Sequence, residues 1–397
     1  MTRIVVLGGA GGIGSVAVRT LLAADDGDEV VVADARVEAA AAVAEALGDP
    51  RLRAARVDAT DPASVAGVLA GADVAIGCVG PFYRFGAPLL DAAIAAGVDY
   101  VDVCDDLDAT LSELERHDAA VAAGVTAVLG MGNSPGLANV LVRYAADLLL
   151  DEVHSVDILH IHGGEPAEGA AVLHHRIHAM TNDVPVFVDG ELRQVRMLEP
   201  SGEAFVVETD FRDVGRFPVF PYPHPETVTL PRHLPTLRRA TNLGVVFPLA
   251  YFERTQALVR QGLAPDEIVE VLQRERPAML AEAGVDGPAG CLKVVVGGTT
   301  GGGAHTWTFS LSSTGDGAGE GTGIPAALGA LLVLRGAATG PGVLPPEAAV
   351  DPQAMLALAG EVLPRVGLTG GDGGATVPLH LEHVGPDGAV ETVALDL

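Results

Sequence analysis

The sequence predicts an α/β fold: a doubly wound parallel sheet at the N-terminus, then a second α+β domain with a mixed, largely antiparallel sheet. Three observations predict it. Apolar runs alternate with helical patterns from residue 3 to about 130. The first run, Ile4-Val5-Val6-Leu7, stops at glycines spaced G-x-G-x-x-G (Gly9, Gly11, Gly14), and a helical pattern begins at once. Beyond residue 130 the alternation gives way to strand-like segments separated by turns. Alternating strands and helices imply a parallel sheet covered on both faces, whereas runs of strands imply an antiparallel one.

The elements follow in order. The spacing predicts strands over Arg3–Leu7, Glu29–Ala33, Arg53–Val57, Val74–Val79, Tyr100–Val103 and Thr126–Leu129. Helices are expected over Gly12–Ala24, Val37–Leu47, Pro62–Ala70, Pro88–Ala96 and Leu107–Ala123. Pro62 stands where a helix starts, because the missing proline N–H is unpaired there anyway. Asn133 or Ser134 with Pro135 opens a helix that carries the chain out of the first domain. The second domain then shows strands at Val153–His162, Pro185–Val188, Leu192–Met197, Ala204–Glu208, Thr227–Leu230 and Leu292–Val296, with helices at Val245–Gln261 and Pro265–Ala283. Gly315–Gly323 reads as a glycine-rich linker or loop. Helices over Ile324–Arg335 and Pro352–Leu363 follow. A hairpin is expected from Thr376–Glu382 and Ala389–Leu395 around Pro386-Asp-Gly388. The domain reading is 1–130, 131–320 and 321–397, the last packing back on the first.

The glycine spacing carries a mechanism. The first glycine permits the tight strand-to-helix turn, the second lets a pyrophosphate reach the backbone, and the third lets the helix pack close to the strand. The helix N-terminus favours the phosphate charge. Asp34 ends the second apolar run, twenty residues after Gly14, where an acid binds the adenosine ribose. The set reads as a Rossmann dinucleotide site with Gly9, Gly11, Gly12, Ile13, Gly14, Asp34 and Arg36 as cofactor-binding residues, to which the segments beyond the carboxyl ends of the fourth and sixth strands add Val79, Gly80, Pro81 and Met131. Asp34 would repel a 2′-phosphate, so NAD is expected, with NADP the alternative because Arg36 lies two residues on.

Composition bounds the function. The formal net charge of −28 argues against nucleic acid and anionic membranes as partners and suits a cationic substrate. No apolar stretch reaches the roughly 20 residues that a membrane span needs. The apolar N-terminus reads as the first strand rather than a signal peptide. Three cysteines, an odd number without C-x-x-C, fit reduced thiols and a cytoplasmic protein. Lys293 is the only lysine, so Schiff-base chemistry would have to use it, and its surroundings read as a plain strand.

The motifs resemble a known family. Gly-Gly-Ala-Gly-Gly-Ile-Gly at 8–14, Gly80-Pro-Phe-Tyr-Arg-Phe-Gly86, Gly97-Val-Asp-Tyr-Val-Asp102, Ser134-Pro-Gly-Leu-Ala-Asn139, Thr322-Gly-Ile-Pro325 and Gly342-Val-Leu-Pro-Pro-Glu347 occur in order over most of the chain. Together they are similar to the saccharopine dehydrogenase-like oxidoreductases, nearest the lysine 6-dehydrogenase and saccharopine reductase branch. The resemblance implies a second domain used for substrate binding and dimerisation, hence a homodimer, and hydride transfer at a carbon bearing nitrogen. It leaves the substrate open, and one branch reduces carbon–carbon double bonds.

Candidate chemistry clusters at the carboxyl ends of the strands, where open α/β sheets bind ligands. Tyr83 and Arg84 are expected on a loop after the fourth strand. Asp102, Asp105 and Asp106 end the fifth, where a carboxylate could hold an ammonium or take its proton. The proline-fixed segment Phe220–Arg232 offers Tyr222, His224, Glu226 and Arg232, the last suited to a substrate carboxylate. The expected assignment is Tyr83, Asp105 and His224 as catalytic, with Arg84, Asp106 and Arg232 binding substrate. Six of the twelve histidines lie between 154 and 178. His160/His162 and His174/His178 have ligand-like spacing, but no full ligand set accompanies them, so no metal is expected. These observations favour an NAD(P)-dependent oxidoreductase acting on an amine or amino acid. An enoyl or lipid reductase and a non-catalytic dinucleotide sensor are the alternatives.

Overall fold

The computed structural model describes residues 2–24, 27–314, 318–366 and 379–394. In chain order, the elements begin with β1 (Arg3–Leu7), α1 (Gly12–Ala24), β2 (Glu29–Asp34), α2 (Val37–Leu47), β3 (Leu52–Arg56), α3 (Pro62–Leu69) and β4 (Val74–Gly77). They continue with α4 (Phe82–Ala96), β5 (Asp99–Asp102), α5 (Leu107–Leu114), α6 (His117–Ala123), β6 (Thr126–Val128) and α7 (Leu137–Leu148). Next come β7 (Glu152–Gly163), α8 (Ala170–Thr181), β8 (Val184–Val188), β9 (Glu191–Val195), α9 (Pro200–Glu203), β10 (Val207–Phe211) and β11 (Gly215–Pro221). Then follow α10 (Glu226–His233), β12 (Arg239–Phe247), α11 (Leu249–Arg260), α12 (Pro265–Glu282), β13 (Ala289–Thr300) and β14 (Gly303–Thr314). The chain closes with α13 (Ala318–Leu334), β15 (Gly342–Leu344), α14 (Pro346–Ala349), α15 (Pro352–Val366), β16 (Leu379–Val384) and β17 (Val390–Val393).

The chain divides into two compact units, one of Met1–Arg143 and Gly319–Val377, the other of Tyr144–Ala318 and Pro378–Asp396. The expected cut at 130/131 thus falls after Arg143. The segment after 318 is shared out: its helices and β15 join the first unit, and the hairpin joins the second. Thr376, Val377, Pro378 and Leu395 of that hairpin, and part of Gly315–Gly323, lie outside the described residues.

The first unit carries the predicted parallel sheet, ordered β15-β6-β5-β4-β1-β2-β3. Every pairing in it is parallel. Alternate side chains feed two cores, as strand geometry requires. Ile4 and Val6 face one side with Val16, Ala17 and Leu21 of α1 and Ala327, Leu331 and Leu358 of α13 and α15. Val5 and Leu7 face the other with Val65 and Leu69 of α3 and Leu89 and Ala93 of α4. The seventh strand, β15, was unexpected because Gly340, Pro341 and Gly342 around it read as turns.

The second sheet has ten strands, with the path β10-β11-β12-β7-β13-β14-β16-β17 and β8 and β9 branching from β12. It is mixed as predicted: β12 pairs with β7 in parallel, and the other pairs are antiparallel.

Several expected elements move. Thr227–Leu230 alternates like a strand but lies in α10, where the Thr229 N–H donates to the Pro225 carbonyl and Leu230 is buried. The helix expected from Val245 starts only at Leu249, because Val245–Phe247 is the end of β12 and Pro248 caps the helix. Ala204–Glu208 splits between a turn and β10. Leu107–Ala123 breaks into α5 and α6 at Glu115–Arg116, where Arg116 turns back to Asp91 and to the Ser112 carbonyl.

Candidate functional site

The glycine turn after β1 is built as its spacing implies. Gly8 and Gly9 N–H groups both donate to the Ala33 carbonyl, at 2.8 and 3.1 Å, tying the turn to the end of β2. Gly8 adopts φ +78°, which a side chain disfavours. A Cβ on Gly14 would fall 2.3 Å from the Gly8 carbonyl oxygen, so only glycine lets α1 pack here. A Cβ on Gly11 would meet only that oxygen, at 3.2 Å, and one on Gly12 would meet nothing within 4 Å. The space over Gly11 and Gly12, at the N-terminus of a helix with no acid in its first turn, is a cradle that fits a pyrophosphate.

Asp34 is buried at the end of β2. Its carboxylate accepts the Ala10 N–H at 3.3 Å and the Arg36 N–H at 3.0 Å, and the exposed Arg36 guanidinium stands 3.6 Å away. Backbone donors therefore fix the acid at the end of β2, with the exposed Arg36 guanidinium beside it.

At the same carboxyl edge of the sheet, after β4, one expectation is corrected. Tyr83 and Arg84 do not sit on a loop. The helix α4 begins at Phe82, well before Pro88, which is accommodated inside it. Two things start it early. The side chain of Phe82 is buried in the α1-face core, and Asp106 accepts the Tyr83 N–H at 3.3 Å. Tyr83 is 53% exposed on this first turn, and Arg84 lies over the Phe85 ring at 4.9 Å. Asp106 is thus a buried helix cap, whereas Asp105 beside it is half-buried.

Asp102 is fully buried. One oxygen accepts N–H groups from Gly130 at 2.7 Å and Cys104 at 3.1 Å, and its carbonyl accepts the Met131 N–H. Burial pushes this carboxyl up to about 6, against the two backbone donors that favour its charge. Burial likewise pushes the Cys78 thiol up to about 12, so it is no thiolate nucleophile. Val79, Gly80, Pro81 and Met131 follow β4 and β6 in the same unit, with Met131 buried.

In the second unit the histidines form a ring cluster. His160 on β7 stacks on His224, centroids 5.2 Å apart and nearly parallel. Tyr222 stands edge-on to both, and His175 of α8 lies 5.8 Å from His224. The His160 ring fits because its β12 neighbour is Gly244, whose Cβ would fall 2.1 Å from it. His160 Nε2 lies 3.0 Å from Asn242 Oδ1, and the Asn242 amide donates to Glu226. Burial pushes His160 down to about 3 and His224 well below its ordinary value, so both are neutral. A neutral imidazole accepts a hydrogen bond at one ring nitrogen and donates one from the other. Arg232, expected on the proline-fixed loop, is exposed on α10 instead.

Beside the cluster, Glu168 binds Arg176, Arg276 and the Tyr251 hydroxyl, and both guanidiniums lie over the Tyr251 ring. Sequence reading missed this network, as it missed His175, Asn242 and Glu113. The available signal was glycine inside regular elements, such as Gly244 and Gly86, where a neighbour must approach closely.

Comparison with known proteins agrees with this geometry. Residues 4–128 match the saccharopine dehydrogenase NADP binding domain. Carboxyaminopropylagmatine dehydrogenase of Synechocystis sp. is 27% identical over 392 residues, 91% of this chain and 96% of the relative. The chain is similar to the saccharopine dehydrogenase-like oxidoreductases, over residues 4–128 by the family model and over most of its length by the first of these relatives. Carboxynorspermidine synthase of Vibrio cholerae is 30% identical over 166 residues, 38% of each chain. The fold matches that of apo saccharopine dehydrogenase (L-Glu forming) from Saccharomyces cerevisiae with a TM-score of 0.67 at 19% identity, covering 99% of this chain and 100% of that one. With this coenzyme-binding domain and these dehydrogenase relatives, the chain is an NAD(P)-dependent oxidoreductase. Among the described residues no helix is long and apolar enough to cross a membrane.

Proposed function

We propose that the protein transfers a hydride between nicotinamide and an amine-bearing carbon of an amino acid, lysine- or saccharopine-like, with NAD preferred to NADP. The observation that carries the reading is the match along nearly the whole chain to a dehydrogenase named for a carboxyaminopropyl amine. The net charge of −28 and the half-buried Asp105 suit a cationic substrate, and Asp34 suits an unphosphorylated ribose.

The chain's residues have four tasks. The glycine turn and Asp34 bind the dinucleotide, and Gly80, Pro81 and Met131 shape its reactive end. Asp105 holds the substrate ammonium and takes its proton, since hydride leaves carbon readily only when the nitrogen is neutral. Tyr83, which is exposed, serves as proton donor, and His224, held neutral by burial, offers a hydrogen-bonding ring nitrogen to the substrate. Arg84 and Arg232, both exposed, bind substrate carboxylates, and Asp106 acts beside Asp105 through its grip on α4. When bound, the nicotinamide supplies the hydride acceptor.

The experiment is coenzyme reduction by purified protein across basic and diamino acids, their N-carboxyalkyl derivatives, hydroxy acids and, in reverse, enoyl thioesters. Turnover confined to the amines is expected. Turnover confined to the enoyl thioesters would instead support reduction of carbon–carbon double bonds, and binding of NAD without any turnover would support a sensor.

A further inference from the structure

In the first unit the segment after β6 folds back on itself before α7 begins. The Gly132 N–H donates to the Pro135 carbonyl at 2.9 Å, and the Leu137 N–H donates to the Gly132 carbonyl at 2.8 Å. Gly136 adopts φ +121°, and a Cβ there would fall 2.1 Å from the Gly132 carbonyl oxygen, so only glycine closes this loop. The loop lies at the carboxyl edge of the parallel sheet, where such sheets bind ligands. It stands on the side of β4 away from β2 and Asp34. That is the side of the nicotinamide half, because Asp34 marks the adenosine half.

Two buried side chains hold the loop. Asn139 is in the first turn of α7, and Glu347 is in α14, 208 residues away in the chain. The orientation of the Asn139 amide follows from its neighbours. The Gly136 N–H can only donate, so the atom 2.9 Å from it is Oδ1. Nδ2 is then left for Glu347 Oε2, at 2.7 Å, and donates to it. Glu347 follows β15, which pairs with β6, and the Leu129 N–H donates to the Leu344 carbonyl at 3.0 Å. The loop also meets α13, where a Cβ on Gly329 would fall 3.0 Å from Met131 Cγ. The same helix packs on α1, where a Cβ on Gly323 would fall 2.5 Å from the Ile13 carbonyl oxygen. The loop and the phosphate turn thus share one support.

We propose that Asn139 and Glu347 are positioning residues: their buried hydrogen bond holds Gly130–Gly136 in the shape that receives the nicotinamide half of the coenzyme. Both are buried and act through the loop. Glu347 fixes the Asn139 amide, the amide fixes the Gly136 N–H, and Gly136 closes the loop that carries Met131. A buried amide that loses its charged acceptor turns or pulls away, and the loop loses its shape with it. The adenosine half, held at the glycine turn and Asp34, does not depend on this contact.

The proposal rests on the placing of the nicotinamide end beside Met131 and not on the amine substrate, and its test uses no substrate. Two ligands are titrated: NADH, and ADP-ribose, which lacks the nicotinamide. Asn139→Asp keeps an oxygen for the Gly136 N–H but sets a second oxygen against Glu347 Oε2, and carboxylates only accept. It should weaken NADH binding by at least roughly tenfold, the scale of one hydrogen bond to a charged group, and leave ADP-ribose within about twofold. Glu347→Gln still offers Asn139 an oxygen and should stay within about threefold of wild type. Combining the two substitutions exchanges donor and acceptor across the same contact, and should bring NADH affinity back to within about threefold of wild type. Unchanged NADH binding in Asn139→Asp, an equal loss of both ligands, or a double variant no better than Asn139→Asp overturns the proposal. If Asn139→Asp does not fold, Glu347→Ala decides by the same comparison of NADH with ADP-ribose, since it removes the acceptor of the Asn139 amide. Wild type that binds neither NADH nor NADPH defeats the dinucleotide reading, and the proposal with it.

Discussion

Two glycines of the first turn should fail in different ways when given a methyl group. At Gly14 the new Cβ would sit 2.3 Å from the Gly8 carbonyl oxygen and 2.8 Å from the Gly9 Cα, both backbone atoms. Real Cβ contacts do not fall below 3.0 Å, so α1 must move by 3.0 − 2.3, or about 0.7 Å, from the turn. Overpacking of this kind costs about 1–3 kcal/mol, more than the ~1 kcal/mol that alanine gains over glycine in a helix. At Gly11 the only close atom is the same oxygen, at 3.2 Å, which needs a shift of a few tenths. Gly11→Ala should therefore leave the apo-protein Tm within ~2 °C of wild type. Its methyl group instead occupies the phosphate cradle and removes backbone hydrogen bonds to a charged group. Each is worth about 1.5–3 kcal/mol, so Kd for NADH should rise roughly 10–100-fold. Gly14→Ala should lower Tm by several degrees and weaken binding as a consequence. Calorimetry of the apo protein and a fluorescence titration with NADH measure both. Normal NADH affinity in Gly11→Ala would refute the placement of the pyrophosphate.

Asp34→Ser should shift preference towards NADP by at least roughly fivefold, since a carboxylate about 4 Å from a phosphate charge costs about 1–4 kcal/mol between aqueous and partly screened limits. Titration of wild type and variant with both coenzymes checks it, and equal or tighter NADP binding by wild type defeats the NAD reading. Glu168→Gln removes the carboxylate that pairs with both buried guanidiniums, of Arg176 and Arg276, and should destabilise the second unit by about 3–5 kcal/mol in a denaturant titration. Burial pushes Glu168 up, but Arg176 and Arg276 outweigh it and hold it below its ordinary 4.5. The unfolded chain thus binds the proton first, and stability falls as pH drops below about 4.5 towards the folded value. The glutamine variant should lose that acid slope; an unchanged slope would assign it to other carboxylates.

The parts of this protein legible in its sequence are those where period and turn chemistry act alone. Ile4 to Leu7 is a buried parallel strand by composition, and Gly9, Gly11 and Gly14 admit one local geometry. Asp34 was placed by counting residues. Errors came where tertiary contacts overrode local preference. Pro88 marks a good helix start, yet α4 begins six residues earlier because Phe82 is buried and Asp106 caps Tyr83. Thr227–Leu230 alternates as a strand does, yet Glu226 and Leu230 must both be buried on one face of a helix. Gly342–Leu344 is too short and too glycine-rich to show a strand period, and becomes one only because β6 offers it an edge.

The candidate site was half legible for a related reason. Acids at strand ends could be named, but their division of labour depends on neighbours distant in sequence. Asp102, Asp105 and Asp106 look alike on paper. In the structure Asp102 is a buried tie between loops, Asp106 is a helix cap, and Asp105 is half-buried. What separates them is carried partly by glycines elsewhere. Gly86 is glycine because Glu113 fills its Cβ position, and Gly77 because the Tyr100 hydroxyl, 2.2 Å from a Cβ there, fills its own. In the second unit Gly244 makes the same room for His160. In each case a polar side chain is buried against the bare backbone of a regular element. Glycine is costly there by about 0.5–1 kcal/mol relative to alanine. That cost is a local record of a distant polar neighbour, and it locates Glu113, Tyr100 and His160 where acidity and spacing alone do not.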